Sequence, residues 1–429
     1  MSHSFLLMIV VFFVLALMRV PLSLAMIGSS VVYFIVTGQD LGLIADQMMN
    51  SLMSSYVMLA VPMFILAANI MNAATISDRL WAAANAIVGR AQGGLAYVSV
   101  LLLIVSSSMT GSAIADASGA GMMSVRMMKK VGGYPRGFAA AVVAAGSTAA
   151  SAIPPAIPLV IYALISGASV GALFLGGLLP GILMGAALMA VIYFLAPRMN
   201  LPRGEAVPRR DLPKVFAQAI IPMTLPVVLL GGIWAGIFTP TEAAAVAGGY
   251  ALLLGMFVYR ALNPKVLFAV FAESSRASAV VMLLIAGAYV TNYVVTAEGL
   301  DRMFLAWIQS LGLGPVGFFL TVNVLLLAMG MLFDTGVLLL VVIPILMPTV
   351  KALGIDLVHF GVVIVINLMI GLSMPPHGML LFVLSAHSKT PVGEIFKAIL
   401  PFIAALLAVL LLMTLVPQTV LWLPQLFGY

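Results

Sequence analysis

Two apolar stretches of this chain each contain a double proline, and a near-constant offset relates them. Pro154-Pro155 lies in the first stretch and Pro375-Pro376 in the second, 221 positions later. The flanking Phe138 and Phe360 are 222 positions apart. Proline interrupts a helix because it has no amide hydrogen and its ring clashes with the preceding turn. In hydrocarbon such a break leaves costly unpaired backbone groups, so matching breaks predict two buried polar sites.

The composition places these stretches in a lipid bilayer. Of the 429 residues, 63% are hydrophobic and only 7% are charged. The apolar runs repeatedly exceed the roughly 20 residues that span a membrane. We therefore predict an all-α polytopic membrane protein. The absence of cysteine excludes disulfides and thiolate metal sites. The net charge of +6 is dispersed, which favours basic cytoplasmic loops over nucleic-acid binding.

The most polar segment, 197–214, divides the chain into two halves. It carries five basic residues and four prolines, and we interpret it as a cytoplasmic linker because basic loops concentrate on that side of the membrane. Residues 1–196 and 215–429 are then two repeats, each with scaffold helices.

The remaining basic loops share the linker's side only if 91–128 enters the membrane and returns as a re-entrant hairpin. The matching hairpin in the second repeat is 314–352. Discontinuous helices are predicted over 137–166 and 359–386. Each half then crosses the membrane an odd number of times, so the repeats are inverted. Inverted repeats with broken helices are typical of secondary transporters, whose sites lie at the breaks.

Hydroxyl groups cluster at the tip of the first hairpin, 106–112, and at the first break. Hard cations such as Na⁺ prefer oxygen ligands, so hydroxyls and freed carbonyls predict a sodium and substrate site. The alternative is that the small residues only permit close helix packing. The candidate residues of the first repeat are Ser106, Ser107, Ser108, Thr110, Gly111, Ser112, Asp116, Gly146, Ser147, Thr148, Ser151, Pro154 and Pro155. Those of the second repeat are Asp334, Thr335, Gly336, Gly371, Ser373, Met374, Pro375 and His377.

Two carboxylates fall within predicted intramembrane segments, where ionisable groups are costly. Asp116 and Asp334 each either ligate a cation, carry a proton or cap backbone amides. His377 follows the second double proline and either contacts an anionic substrate, titrates or is structural. Asp334-Thr335-Gly336 also matches the aspartic-protease motif, but that chemistry needs two paired carboxylates and the sequence has no second copy. We predict no enzymatic activity.

Three further polar residues have local interpretations. His359 and His387 are expected in loops near the ends of spans. Glu242 follows Pro240-Thr241, which predicts a helix start capped by Thr239 or Thr241, with the carboxylate in the first turn.

Several segments together resemble the large membrane (M) subunit of tripartite ATP-independent periplasmic (TRAP) transporters. They cover essentially the whole chain, and none is a short promiscuous pattern. They are LAVPMFILAANIM at 59–71, TGSAIAD at 110–116, GYPRGFAAAV at 133–142, STAASAIPPAIPLVIY at 147–162, GIFTPTEAAAV at 236–246 and NLMIGLSMPPHG at 367–378.

The resemblance implies a sodium-coupled importer of an organic anion such as a C4-dicarboxylate or sialic acid. It implies an elevator arrangement in the bacterial inner membrane, with Na⁺ as coupling ion and no other cofactor. The expected partners are a separate small four-helix membrane (Q) subunit and a soluble periplasmic substrate-binding (P) protein. By the same resemblance, the segments 147–155 and 371–376 would complete two sodium sites.

The second break departs from the family pattern. Met374 stands where the family usually has threonine before the two prolines, and His377 follows them. A hydroxyl from Ser373 or a backbone carbonyl would then replace the missing ligand. A proton-coupled carrier using Asp116, Asp334 and His377 stays an alternative. An ion channel is disfavoured because no ring-forming filter motif is present.

Overall fold

The computed structural model describes residues 2–53, 56–74, 76–204, 208 and 210–429, and these ranges are α-helical without a β-strand. The first-half helices are α1 (His3–Leu17), α2 (Leu22–Thr37), α3 (Gly42–Met53), α4 (Ala60–Ala73), α5 (Ile76–Val88), α6 (Gly94–Thr110), α7 (Ala113–Ser118), α8 (Ala120–Val131), α9 (Arg136–Ala150), α10 (Ile157–Ser166) and α11 (Val170–Arg198). A 3₁₀ turn, Tyr56–Leu59, leads into α4.

The second-half helices follow after the polar linker. They are α12 (Leu212–Trp234), α13 (Pro240–Leu253), α14 (Pro264–Ala297), α15 (Leu300–Ser310), α16 (Pro315–Gly330), α17 (Thr335–Ala352), α18 (Leu357–Leu372), α19 (Met379–Ser388), α20 (Val392–Leu415) and α21 (Gln418–Leu426). A π-helical turn, Leu254–Val258, extends α13. Within the described ranges, seven helical segments are long and apolar enough to cross a membrane. The prediction of an all-α polytopic membrane protein is confirmed.

Each half contains a helical hairpin. In the first half, α6 ends at Thr110, the chain turns at Gly111 and Ser112, and the short α7 and α8 lead back along α6. Gly111 has a φ of +63°, a left-handed conformation that glycine adopts without strain. In the second half, α16 ends at Gly330 and α17 starts at Thr335, with 331–334 as the tip.

Each half also contains a helix that is interrupted at its double proline. The first break, 151–156, separates α9 from α10, and the second, 373–378, separates α18 from α19. The Pro154–Pro155 and Pro375–Pro376 peptide bonds are both cis. Helices α9 and α18 lie in the core, where α9 is buried from Gly137 to Ala150. Its alanines and glycines allow neighbouring helices to approach closely.

The two halves interlock around these helices. The Tyr162 hydroxyl in α10 donates a 2.8 Å hydrogen bond to the Leu357 carbonyl at the start of α18. Phe138 in α9 packs against Phe402 in α20, with ring centroids 6.0 Å apart. The candidate site therefore lies in a core built from both halves rather than within one.

The polar linker packs against the base of the first hairpin. Helix α11 continues to Arg198 and α12 begins at Leu212, so both helices extend into the predicted linker 197–214. The Gly93 amide donates a 3.0 Å hydrogen bond to the Pro202 carbonyl. Residues 205–207 and 209 of the predicted linker lie outside the described residues.

Two of the local predictions are wrong and one is confirmed. His359 is not in a loop: it is buried in the first turn of α18, and its Nε2 lies 2.8 Å from the Met413 carbonyl oxygen. His387 lies in the last turn of α19, exposed. The sequence around both histidines is apolar, so it does not indicate where these helices begin or end. Thr239 and Glu242 form the expected reciprocal capping box at the start of α13.

Candidate functional site

The tip of the first hairpin rests on the first helix break. The Ile157 amide, which begins α10, donates a 3.4 Å hydrogen bond to the Gly111 carbonyl. A β-carbon added at Gly111 would clash with the Pro155 carbonyl oxygen, so no larger residue fits there. The predicted tip and the predicted break are therefore in direct contact.

Asp116 is the centre of a buried oxygen cluster at this tip. Its side chain is 1% exposed. Its Oδ1 accepts hydrogen bonds from the Thr110 hydroxyl at 2.6 Å and the Ser106 hydroxyl at 3.3 Å. Among the described residues, Asp116 Oδ2 and the hydroxyls of Ser107 and Ser147 are buried without a hydrogen-bond partner. Unpaired buried oxygens are costly, so the free carboxylate oxygen of Asp116 in this cluster is suited to a bound cation.

Other predicted hydroxyls serve the local backbone. Ser108 donates to the Val105 carbonyl at 2.6 Å, and Ser151 donates to the Thr148 carbonyl at 2.8 Å. Ser112 caps α7 by accepting from the Ala115 amide at 3.4 Å. Gly146 is a packing position, because an added β-carbon would lie 2.7 Å from Leu103 Cδ1.

A hydrogen bond joins the two broken helices. The Thr148 hydroxyl donates to the Ser373 hydroxyl oxygen at 2.9 Å, and both side chains are fully buried. Ser373 in turn donates to the Ile370 carbonyl at 3.1 Å. The hydroxyl expected to replace the threonine missing at Met374 is thus shared with the first break.

At the second tip, Asp334 caps a helix. Its Oδ1 accepts a 2.8 Å hydrogen bond from the Gly336 amide at the start of α17, which favours the capping interpretation of this carboxylate. The neighbouring Thr335 hydroxyl is buried, and no partner for it occurs in the described part of the chain. This hydroxyl is available to a ligand, whereas the Asp334 carboxylate already occupies the amino terminus of α17.

The second break packs against the second hairpin. A β-carbon added at Gly371 would lie 2.9 Å from the Gly330 backbone, so the two helices touch at these glycines. The Gly378 amide donates to the Met374 carbonyl at 2.9 Å and closes the proline turn around Pro375. His377 is exposed beside it.

A cavity of about 430 Å³ brings both hairpin tips together. Its lining includes Thr110, Gly111 and Ser112 of the first tip and Asp334, Thr335 and Gly336 of the second. The starts of α10 and α17 therefore both face one space. His377 does not line it, so the structure separates this histidine from the tips.

Two residues that line this cavity are not among the residues predicted from the sequence. They are Asn69 of α4 and Glu273 of α14. Asn69 donates a 2.9 Å hydrogen bond to Ser274, which fixes α4 against α14. Glu273 is an acid within a long helix and Asn69 lies in the motif at 59–71, so the sequence marks both positions as unusual. The two residues line one cavity because α4 packs against α14, through a hydrogen bond between residues 205 positions apart. The sequence alone does not predict such a distant contact.

An adjoining cavity of about 690 Å³ shares Asn69, Ala115 and Glu273 with the first and is lined by Arg126 and Lys130. The polar space between the tips thus continues towards a basic end of the molecule. Basic residues are typical of the cytoplasmic side.

The family model described as tripartite ATP-independent periplasmic transporter, DctM component, matches residues 9–419. The chain belongs to this family. The resemblance to the large membrane subunit is therefore confirmed. This subunit is a multi-pass membrane transport protein and not an enzyme.

Two relatives illustrate the match. The sialic acid TRAP transporter large permease protein SiaM of Vibrio cholerae is 37% identical over 414 residues, which cover 95% of this chain and 96% of that protein. The C4-dicarboxylate TRAP transporter large permease protein DctM of Pseudomonas aeruginosa is 37% identical over 377 residues, 87% of each chain. The crystal structure of the Alcanivorax borkumensis YdaH transporter shares the fold, with a TM-score of 0.66, 86% coverage of each chain and 15% identity.

Proposed function

We propose that this TRAP large permease subunit imports an organic anion, a carboxylate of the C4-dicarboxylate or sialic acid class, together with Na⁺. The observation that carries the proposal is the cavity in which both hairpin tips meet. Relatives with these substrates in their names align over most of the chain and support the substrate class. The substrate would be delivered by a soluble periplasmic protein, and a small four-helix membrane subunit would complete the complex.

The coupling ions would bind beside the helix breaks. At the first site, we assign Na⁺ to the oxygens of Asp116, Ser107 and Ser147, which lack protein partners among the described residues. At the second site, Ser373 and the carbonyls freed around Pro375 supply oxygens, since hard monovalent cations accept such neutral ligands. The Thr148–Ser373 hydrogen bond would connect the occupancy of one site to the geometry of the other.

The substrate carboxylate would lie between the tips. Among the residues that the structure describes, no Lys or Arg lines the cavity of about 430 Å³. The positive charge for an anion must therefore come from helix amino termini and from bound Na⁺. The Thr335 hydroxyl, which has no partner among the described residues, is placed to donate a hydrogen bond to it. Coupling follows because the anion binds well only when the cations are present.

The movement would be of the elevator type, within two inverted repeats. The hairpins and broken helices contact one another extensively. Helices α1 to α4, α13 and α14 form a second group, whose members contact one another. The cavity lies between these two groups, as an alternating-access mechanism requires. The continuation lined by Arg126 and Lys130 would be the cytoplasmic exit, with 197–214 on the same side.

Uptake into proteoliposomes tests the function. The chain and its small membrane subunit are reconstituted, and labelled organic acids are offered with or without an inward Na⁺ gradient and with or without the binding protein. We expect uptake only when the inward Na⁺ gradient and the binding protein are both present. A matched control replaces the Na⁺ gradient by a K⁺ gradient of equal size.

Two results would contradict the proposal. Uptake driven by a pH gradient and indifferent to Na⁺ would assign coupling to proton transfer instead. Linear, non-saturating flux without counterflow would indicate a channel. The panel of acids itself identifies the substrate, because selectivity between carboxylates then appears as differences in saturable uptake.

A further inference from the structure

A third polar cavity lies away from the transport site, where four helix ends meet. Helix α8 ends at Val131, α9 begins at Arg136, α19 ends at Ser388 and α20 begins at Val392. The cavity has a volume of about 360 Å³. It is lined by Lys129, Tyr134, Arg136, Ser388 and Lys389.

The charge of this cavity is entirely positive. Three of its five lining residues are Lys129, Arg136 and Lys389, and no acidic side chain from the described ranges lines it. Lys129 Nζ donates one hydrogen bond, to the Ser388 carbonyl oxygen, and has two further hydrogens to donate. Three cations around one space repel each other, and an anion between them removes that repulsion.

The position of Arg136 adds to the positive potential. It is the first residue of the 15-residue helix α9, and the preceding Pro135 provides no side-chain cap. A cation is disfavoured at a helix amino terminus, where the free amides already carry partial positive charge. An anion bound at this amino terminus would offset that cost.

An unpaired hydroxyl provides independent evidence for a ligand. Ser388 lines the cavity, its side chain is 5% exposed, and its Oγ has no hydrogen-bond partner among the described residues. Buried polar atoms are nearly always paired, so an orphan hydroxyl at a polar cavity indicates a missing acceptor or donor.

We propose that this cavity binds a phosphate-bearing anion through Lys129, Arg136, Lys389 and the Ser388 hydroxyl. A phosphate group has several acceptor oxygens, and guanidinium and ammonium groups donate to them in charge-assisted hydrogen bonds. The phosphate would fasten the return helix of the first hairpin to the end of the second broken helix. The first hairpin and the second broken helix carry candidate transport residues elsewhere along their length, so the anion would stabilise the mutual arrangement of these two elements.

The phosphate could come from either of two sources. Helix α20, which begins beside the cavity, is long and apolar enough to span the membrane. The cavity therefore lies near the level of lipid headgroups, and basic pockets at this level bind anionic lipids. Free inorganic phosphate has the same chemistry, and the experiment must distinguish the two.

Ligand-dependent thermal stability of the purified full-length chain tests the proposal. The unfolding midpoint is titrated with short-chain phosphatidylglycerol, with zwitterionic phosphatidylcholine and with inorganic phosphate at constant ionic strength. The variants are Lys389→Gln and Arg136→Gln. The matched control is Lys397→Gln, which removes a charge on α20 that does not line the cavity.

We expect saturable stabilisation of the native chain and of the control. Each cavity variant should weaken the apparent affinity by about tenfold, the loss of one charge-assisted contact. A response to phosphatidylglycerol alone identifies a headgroup site, and a response to inorganic phosphate identifies a site for the free ion.

The proposal is overturned if no saturable response occurs, if phosphatidylcholine acts as well as phosphatidylglycerol, or if the control variant loses as much affinity as the cavity variants. Lys389 is exposed, so Lys389→Gln keeps the test decisive even where Arg136→Gln fails to fold. The readout needs neither substrate nor Na⁺, and its failure leaves the transport proposal untouched.

Discussion

The Asn292 side chain in α14 donates a 2.7 Å hydrogen bond to the Leu340 carbonyl oxygen in α17. Four residues after Leu340 stands Pro344, which has no amide hydrogen to offer that carbonyl. A side chain from α14, outside the hairpin, therefore completes the backbone pairing of the second hairpin. In the proposed elevator movement, the hairpin would make this hydrogen bond in only one of its positions.

Replacing Asn292 by valine should destabilise the chain by about 1–3 kcal/mol, because it leaves the buried carbonyl unpaired. The substitution Pro344→Ala supplies the missing backbone amide, so in that background Asn292→Val should cost much less. Thermal unfolding of the four proteins measures this coupling. Equal losses in both backgrounds would show that the carbonyl is not the group that Asn292 satisfies.

The contact between Gly330 and Gly371 predicts a steric requirement at the second break. Gly371→Ala would place a β-carbon 2.9 Å from backbone atoms that cannot move without shifting α16. We expect a loss of about 1–3 kcal/mol from overpacking, with a lower unfolding midpoint and slower uptake.

Gly249→Ala is the matched control for Gly371→Ala. It lies in helix α13 with open space around its added β-carbon. Alanine there should be neutral or stabilising by up to about 1 kcal/mol, because glycine weakens helices. If both variants behave alike, close packing at the second break is not what constrains Gly371.

The oxygen cluster around Asp116 predicts how sodium dependence responds to mutation. Asp116→Asn keeps the size but removes the charge, and Thr110→Val removes the 2.6 Å hydrogen bond that orients the carboxylate. We expect Asp116→Asn to raise the Na⁺ concentration for half-maximal uptake by more than about tenfold, and Thr110→Val by less.

Ser118→Ala is the control for this pair. Ser118 is exposed at the end of α7, and its hydroxyl donates to the Ile114 and Ala115 carbonyls of the same helix. Its removal should leave the sodium dependence unchanged. Sodium dependence that stays native in Asp116→Asn would remove Asp116 from the site, whatever the effect on maximal rate.

The sequence predicted best where local chemistry decides the structure. The double prolines lie within the two breaks, and Thr239 with Glu242 capped the helix as their spacing required. The sequence did not predict that Asn69 and Glu273 line the cavity, because only the packing of α4 against α14 brings them together. His359 was misplaced because its partner, the Met413 carbonyl, lies 54 positions away. A sequence pattern indicates helix propensity and helix breaks. It does not indicate which distant group forms a hydrogen bond with a buried polar atom.

A buried amide network connects α16, α18 and α20. Asn367 donates to the Asn323 side-chain oxygen at 2.8 Å and to its carbonyl at 3.0 Å. Asn323 in turn donates to the Thr414 hydroxyl at 2.8 Å. All three side chains are buried, so each group depends on its neighbour for pairing.

Asn367→Leu should destabilise the chain by about 1–3 kcal/mol, because it leaves the buried Asn323 side-chain oxygen without its donor. The double variant Asn323→Leu/Asn367→Leu removes both partners and should cost less than the sum of the two single changes. Unfolding midpoints of the four proteins, measured in one detergent, give the coupling free energy. Strictly additive losses would mean that the second hairpin is held against α18 by apolar packing alone, and that its pairing to the broken helix does not depend on this hydrogen bond.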